Sequence, residues 1–138
     1  MRVAVVDGQG GGIGKAIVEK LRKELPDLEI LALGTNSMAT AAMLRAGADK
    51  GATGENAILW NAPRVDAILG VVGILAGGSM LGELSDAMAS AIAHSDARKI
   101  LIPLEKCHLE IAGVAKGTPV LLLVDAAVAS VRSMVDGR

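Results

Sequence analysis

Phenylalanine and tyrosine are missing from this 138-residue sequence, and Trp60 is its single aromatic residue. Without aromatic platforms for stacking bases, single-stranded nucleic acid is a poor partner. The core must instead be built from Val, Ile, Leu, Met and Ala within a 51% hydrophobic composition, and such side chains let helices lie close on a sheet. Cys107 is the one cysteine, which excludes an internal disulfide and agrees with a reducing compartment. Charge of either sign is also lacking in excess. Fourteen basic and fifteen acidic residues give a net charge of −1, so no long-range field draws in a polyanion. The longest apolar stretch, Ala67 to Leu81, is too short for a bilayer and is broken by Gly70, Gly73, Gly77 and Gly78. The first expected strand begins within three residues of Met1, which leaves no room for a leader peptide, and a cytoplasmic protein is expected.

What is present is an alternation of short β-type runs with longer helical ones, over a length that suits one domain, 1–138. The expected fold is α/β: a three-layer, Rossmann-like, doubly wound and mostly parallel sheet of five to six strands. Val3–Val6, Leu28–Leu33, Ala48–Ala52, Val65–Val72 and Lys99–Pro103 read as strands, with Leu109–Gly113 as a sixth. An alternative makes "AILW" (Ala57–Trp60) the third strand. Ile13, Ile17, Leu21 and Leu25 give a first helix ended by Pro26. A second starts at Asn36 or Ser37, turns Met38, Ala42 and Met43 inward and stops at Gly47. Thr53 is expected to cap a third through "GENAILWN". Leu81, Leu84, Met88 and Ile92 form the stripe of a fourth, capped by Ser79 or Ser85. The last is capped by Thr118, has Pro119 in its first turn, and carries a stripe of Leu121, Val124, Val128, Val131 and Val135.

In such a sheet the strand-to-helix corners share the carboxyl edge, where ligands bind. The unusual residues gather at those corners: "DGQGGGIG", "GTNS", "ATGEN", "GVVGILAGGS" and "PLEKCH". The opposite turns, "ELPDL" and "HSDARK", are ordinary and polar. At the first corner, glycines let backbone amides approach an anion, and the following helix adds about half a positive charge at its start. Gly8, Gln9, Gly10, Gly11, Gly12, Ile13, Gly14 and Lys15 are therefore candidates for holding the phosphates of a nucleotide. A tight turn with close helix packing is the plainer alternative, though five glycines exceed what a turn needs.

The spacing of Gly8, Gly12 and Gly14 resembles the first corner of the short-chain dehydrogenase/reductase family, T-G-x-x-x-G-I-G, with Asp7 in place of threonine. A weaker likeness continues in "DAILGVVG" (Asp66–Gly73), which keeps the strand and Gly73 but loses that family's paired asparagines. The resemblance implies NAD(P), yet the family's Tyr-x-x-x-Lys chemistry is excluded because tyrosine is absent. No acidic residue follows the second strand to hold a ribose. Thr35, Asn36 and Ser37 stand there instead and suit a 2′-phosphate, with Arg45 as the nearby base. "GGGIGKA" also resembles a deviant Walker A loop and keeps Lys15, but it lacks the leading lysine and has Ala16 where Mg²⁺ needs a hydroxyl, which argues against ATP hydrolysis. Over nearly its full length, through "DGQGGGIGKAI", "ALGTNS", "AGADKGATGENAI" and "ILIPLEKC", the chain resembles the bacterial family called domain of unknown function 3842. That resemblance implies a Rossmann-like fold and no particular activity.

Other residues carry chemistry of their own. Cys107 and His108, with Glu105 close by, are candidates for a nucleophile or for proton transfer, although neighbours on an extended chain face opposite ways. Two such ligands fall short of a zinc site, so no metal is expected. Glu55 and Asn56 are placed to bond a ribose or substrate, or simply to cap a helix. Asp7, under the glycine corner, is expected to orient the loop by accepting amides. Three functions stay open: a nucleotide binder, with NAD(P) favoured; an enzyme on a small phosphorylated or carboxylated metabolite using Glu55, Cys107 or His108; and a non-catalytic sensor or assembly subunit. A homodimer is also expected, because so apolar a short chain leaves a helix face to cover.

Overall fold

Val3, Ala4, Val5 and Val6 bring no polar side chain to either face of their strand, and they occupy the middle of a five-stranded parallel sheet. The structure is a computed structural model and describes residues 1–104 and 108–137. Its strands are β1 (Arg2–Asp7), β2 (Glu29–Gly34), β3 (Lys50–Thr53), β4 (Ala67–Val71) and β5 (Arg98–Ile102), in the spatial order β3-β2-β1-β4-β5. Val5 pairs with Ala32 of β2 on one side and Leu69 of β4 on the other. The chain therefore winds outward from β1 to β3, then crosses back to β4. Neighbouring connections at β1 and β4 leave in opposite directions, which opens a crevice between their carboxyl ends.

Helices cover both faces. α1 (Gly12–Glu24), α2 (Ser37–Ala46) and α5 (Val120–Asp136) pack one face through Ile17, Leu21, Met43, Val124 and Val128. α3 (Glu55–Asn61) and α4 (Asp86–His94) pack the other through Ile58, Met88 and Ile92. The three-layer reading holds, with five strands among the described residues. Caps set several boundaries as expected: the Asn36 side chain accepts the Ala39 amide at 2.8 Å, Gly47 ends α2, and Ser85 Oγ accepts the Met88 amide at 3.2 Å.

Several expectations need correcting. Leu109–Gly113 forms turns and irregular chain, since no strand among the described residues lies beside it to accept a ladder. "AILW" is helical, with the strand at Lys50–Thr53. Thr53 ends that strand, bonding Thr40 through its hydroxyl at 2.7 Å, and Gly54 takes the cap position of α3. Leu81 is 96% exposed and sits in a turn five residues before α4, because Ser85 starts that helix later. Met38 is 65% exposed, the buried face of α2 belonging to Ala39, Ala42 and Met43. Leu121 is 68% exposed, since α5 buries side chains only from Val124 onward. Thr118 does not cap α5: its hydroxyl donates to the Ala115 carbonyl at 2.8 Å, and the helix starts after Pro119. Among the described residues, no helix is long and apolar enough to cross a membrane.

Candidate functional site

The turn from β1 into α1 is fixed from below by Asp7, which is only 7% exposed. One carboxylate oxygen accepts the Gly8 amide at 2.8 Å and the other accepts the Gly14 amide at 2.6 Å. The Gly11 amide donates to the Gly8 carbonyl at 3.0 Å, and the Lys15 amide to the Gly11 carbonyl at 2.9 Å. A helix start leaves its first amides without intrahelical acceptors. Here those of Gly10, Gly12 and Ile13 have no acceptor among the described residues.

The glycines of the turn divide into two groups. Gly8, Gly11 and Gly14 are buried and are dictated by packing. A Cβ on Gly8 would stand 2.5 Å from Thr35 Oγ1, one on Gly11 2.9 Å from Ala39 Cα, and one on Gly14 2.7 Å from Met43 Sδ. Gly11 also has a φ of +77°, which disfavours any other residue. Gly10 and Gly12 are exposed, keep an ordinary φ and would place a Cβ in open space. Nothing among the described residues requires glycine at those two positions.

Their open space belongs to a cavity of about 600 Å³, within the size range of small-molecule sites. Asp7 to Ile13 form one wall; Val71 ends β4, Gly73, Ser79, Met80 and Leu81 come from the segment after it, and Leu104 from beyond β5. The cavity thus occupies the crevice where the strand order reverses. Besides Gly11, three non-glycine residues around it have left-handed backbone: Gln9 (φ 49°), Met80 (φ 58°) and Leu81 (φ 57°). Such conformations cost about 1–2 kcal/mol each in L-residues and collect at binding sites.

Glu83 ties the two walls together. Its Oε1 accepts the Gln9 amide, the Thr35 hydroxyl and the Asn36 side-chain amide, each at 2.8 Å. These donors, the Gln9 amide first and then Thr35 and Asn36, hold the Glu83 carboxyl below the ordinary glutamate range. No lysine or arginine lines the cavity among the described residues.

The structure gathers part of the expected site and disperses the rest. Gly8, Gln9, Gly10, Gly11, Gly12, Ile13 and Gly73 all line the cavity, with Gly14 packed beneath. Lys15 does not; it points along α1 to Glu19, Nζ to Oε1 3.9 Å. Thr35 and Asn36 are held by Glu83, and exposed Ser37 begins α2 away from the cavity. Glu55 accepts the Ser85 hydroxyl at 2.6 Å, linking the starts of α3 and α4, and Asn56 beside it is exposed. His108 is exposed with a φ of 60°, whereas Glu105 and Cys107 lie outside the described residues. Among the described residues, no three His, Cys, Asp or Glu side chains form a metal-ligand set. Val71, Ser79 and Leu104 fall within the expected corners "GVVGILAGGS" and "PLEKCH" without having been singled out, whereas Glu83, Met80 and Leu81 lie outside every corner that sequence reasoning named.

No curated protein shows significant sequence similarity to the chain. Among solved structures, a dodecameric FMN-dependent UbiX-like decarboxylase from Escherichia coli O157:H7 is similar over 94% of this chain and 76% of that one, with a TM-score of 0.50 and 18% identity. At that identity the likeness is one of fold, an α/β architecture of Rossmann type. The family model described as "Domain of unknown function (DUF3842)" matches residues 2–136, and the chain belongs to that family.

Proposed function

We propose that this protein binds a nucleotide in the crevice between β1 and β4, with a phosphate on the amides of Gly10, Gly12 and Ile13. The observation that carries the reading is the coincidence of those three amides, which have no acceptor among the described residues, with an open cavity at a helix start. Amides at a helix N-terminus attract anions through their N–H groups and the helix dipole together. The exposed Gly10 and Gly12, which packing does not explain, add support, because a Cβ at either would occupy space a ligand needs. Val71, Met80, Leu81 and Leu104 offer an apolar wall for a base or ring system.

Both NAD(P), which the glycine spacing favours, and FMN, named for the similar E. coli decarboxylase, belong to this ligand class. Equilibrium dialysis of the folded protein against AMP, FMN, NAD and NADP tests the reading. Saturable binding of at least one is expected, weakened by Gly12→Ala. Absence of binding to all four at millimolar concentration, with the fold intact, would overturn it.

A further inference from the structure

We infer that Glu83 is a specificity-determining residue of this site, admitting ligands with one phosphoryl group, such as nucleoside or flavin monophosphates, and excluding dinucleotides. The inference rests on the nucleotide reading above and narrows it. In dinucleotide-binding sheets of this topology the second ribose is received at the carboxyl end of the second strand, where an acidic residue accepts its hydroxyl. Here β2 ends at Gly34, and the next two residues, Thr35 and Asn36, both donate to Glu83 Oε1 at 2.8 Å. Asn36 is engaged throughout: its Nδ2 also donates to the Gln9 carbonyl at 3.0 Å, and its Oδ1 caps α2.

The Glu83 carboxylate therefore fills the gap between the β1 and β2 corners. A Cβ on Gly8 would stand only 3.1 Å from it, so it lies directly against the start of the glycine turn. A second ribose laid along this route meets donors already bonded, and a 2′-phosphate meets a carboxylate. On the far side of the turn the cavity stays open, and three amides with no acceptor among the described residues match the three oxygens of one phosphoryl group. The half of the crevice next to β4 is thus available, whereas the half next to β2 is occupied by the chain itself.

Calorimetric titration of the full chain with two matched pairs, AMP against NAD and FMN against FAD, tests this. The wild type is expected to bind the monophosphate of at least one pair about tenfold or more tightly than its dinucleotide, a difference of about 1.4 kcal/mol. Glu83→Ala is expected to shrink that ratio about tenfold by admitting the dinucleotide. Glu83→Ser, which likewise empties the gap and frees the Thr35 and Asn36 donors, should shift the ratio the same way and serves if the alanine variant does not fold. Dinucleotides bound as tightly as monophosphates by the wild type, or a ratio unmoved in both variants, would overturn the role of Glu83 and leave nucleotide binding standing. A wild type that binds none of the four overturns the nucleotide reading and this inference together.

Discussion

The carboxylate of Asp7 reaches seven residues forward to accept the amide of Gly14 at 2.6 Å, so the end of β1 caps the helix it leads into. This contact takes the third amide of α1 and leaves those of Gly12 and Ile13 without a protein acceptor among the described residues. Asp7 is thereby a loop-orienting residue, as its place under the corner suggested. Asp7→Ala strands the buried Gly8 and Gly14 amides and should cost about 2–3 kcal/mol in urea unfolding, with Asp7→Asn costing less because it keeps one acceptor.

Gly12→Ala separates a ligand cradle from a mere turn. Alanine there meets no neighbour within 4 Å among the described residues and improves helix propensity, so stability should stay level or rise by up to about 1 kcal/mol. Nucleotide affinity should nevertheless fall about tenfold or more. Gly14→Ala should instead lose about 1–3 kcal/mol of stability, since its Cβ would meet Met43 Sδ at 2.7 Å and Asp7 Cβ at 2.8 Å.

Glu83 makes stability pH-dependent in a defined direction. Its folded carboxyl titrates below the ordinary range, chiefly through the Gln9 amide, so its contribution is present above the unfolded value and is lost as pH falls through the folded one. The stability difference between wild type and Glu83→Gln should be constant near neutrality and shrink below about pH 4. Urea midpoints of both proteins across that range provide the check.

Glu55 serves the packing of α3 on α4 through the Ser85 hydroxyl. Glu55→Ala should cost about 0.5–1.5 kcal/mol in unfolding experiments and leave nucleotide affinity within error. Loss of binding without loss of stability would return Glu55 to the site.

The strands were legible because β1 and β4 are short and apolar on both faces, a pattern only a covered parallel sheet accommodates. Caps such as Asn36, Gly47 and Ser85 were legible because each acts within a few residues of itself. Leu109–Gly113 has the composition of a strand but no strand partner among the described residues, and composition does not report partners. Leu81 misled for a related reason: an apolar residue at the right spacing was read into a helix, whereas it borders the cavity from a turn. Glu83 was invisible because its contact with Gln9 spans 74 residues and exists only through the crossover that brings the β4 corner onto the β1 corner. The lost asparagines at β4 and the missing acid after β2 were both noted in the sequence, yet nothing local showed that Glu83, from the segment after β4, reaches the β2 corner.

The central claim, that the first corner holds an anion on three particular amides, is tested most directly by following backbone amide resonances of ¹⁵N-labelled protein during titration with AMP. The account predicts saturable shifts at Gly10, Gly12 and Ile13, larger than those at Gly8 and Gly14, whose amides stay bonded to Asp7. Unmoved resonances at Gly10, Gly12 and Ile13 at millimolar AMP, or saturable shifts confined to another part of the chain, would contradict it.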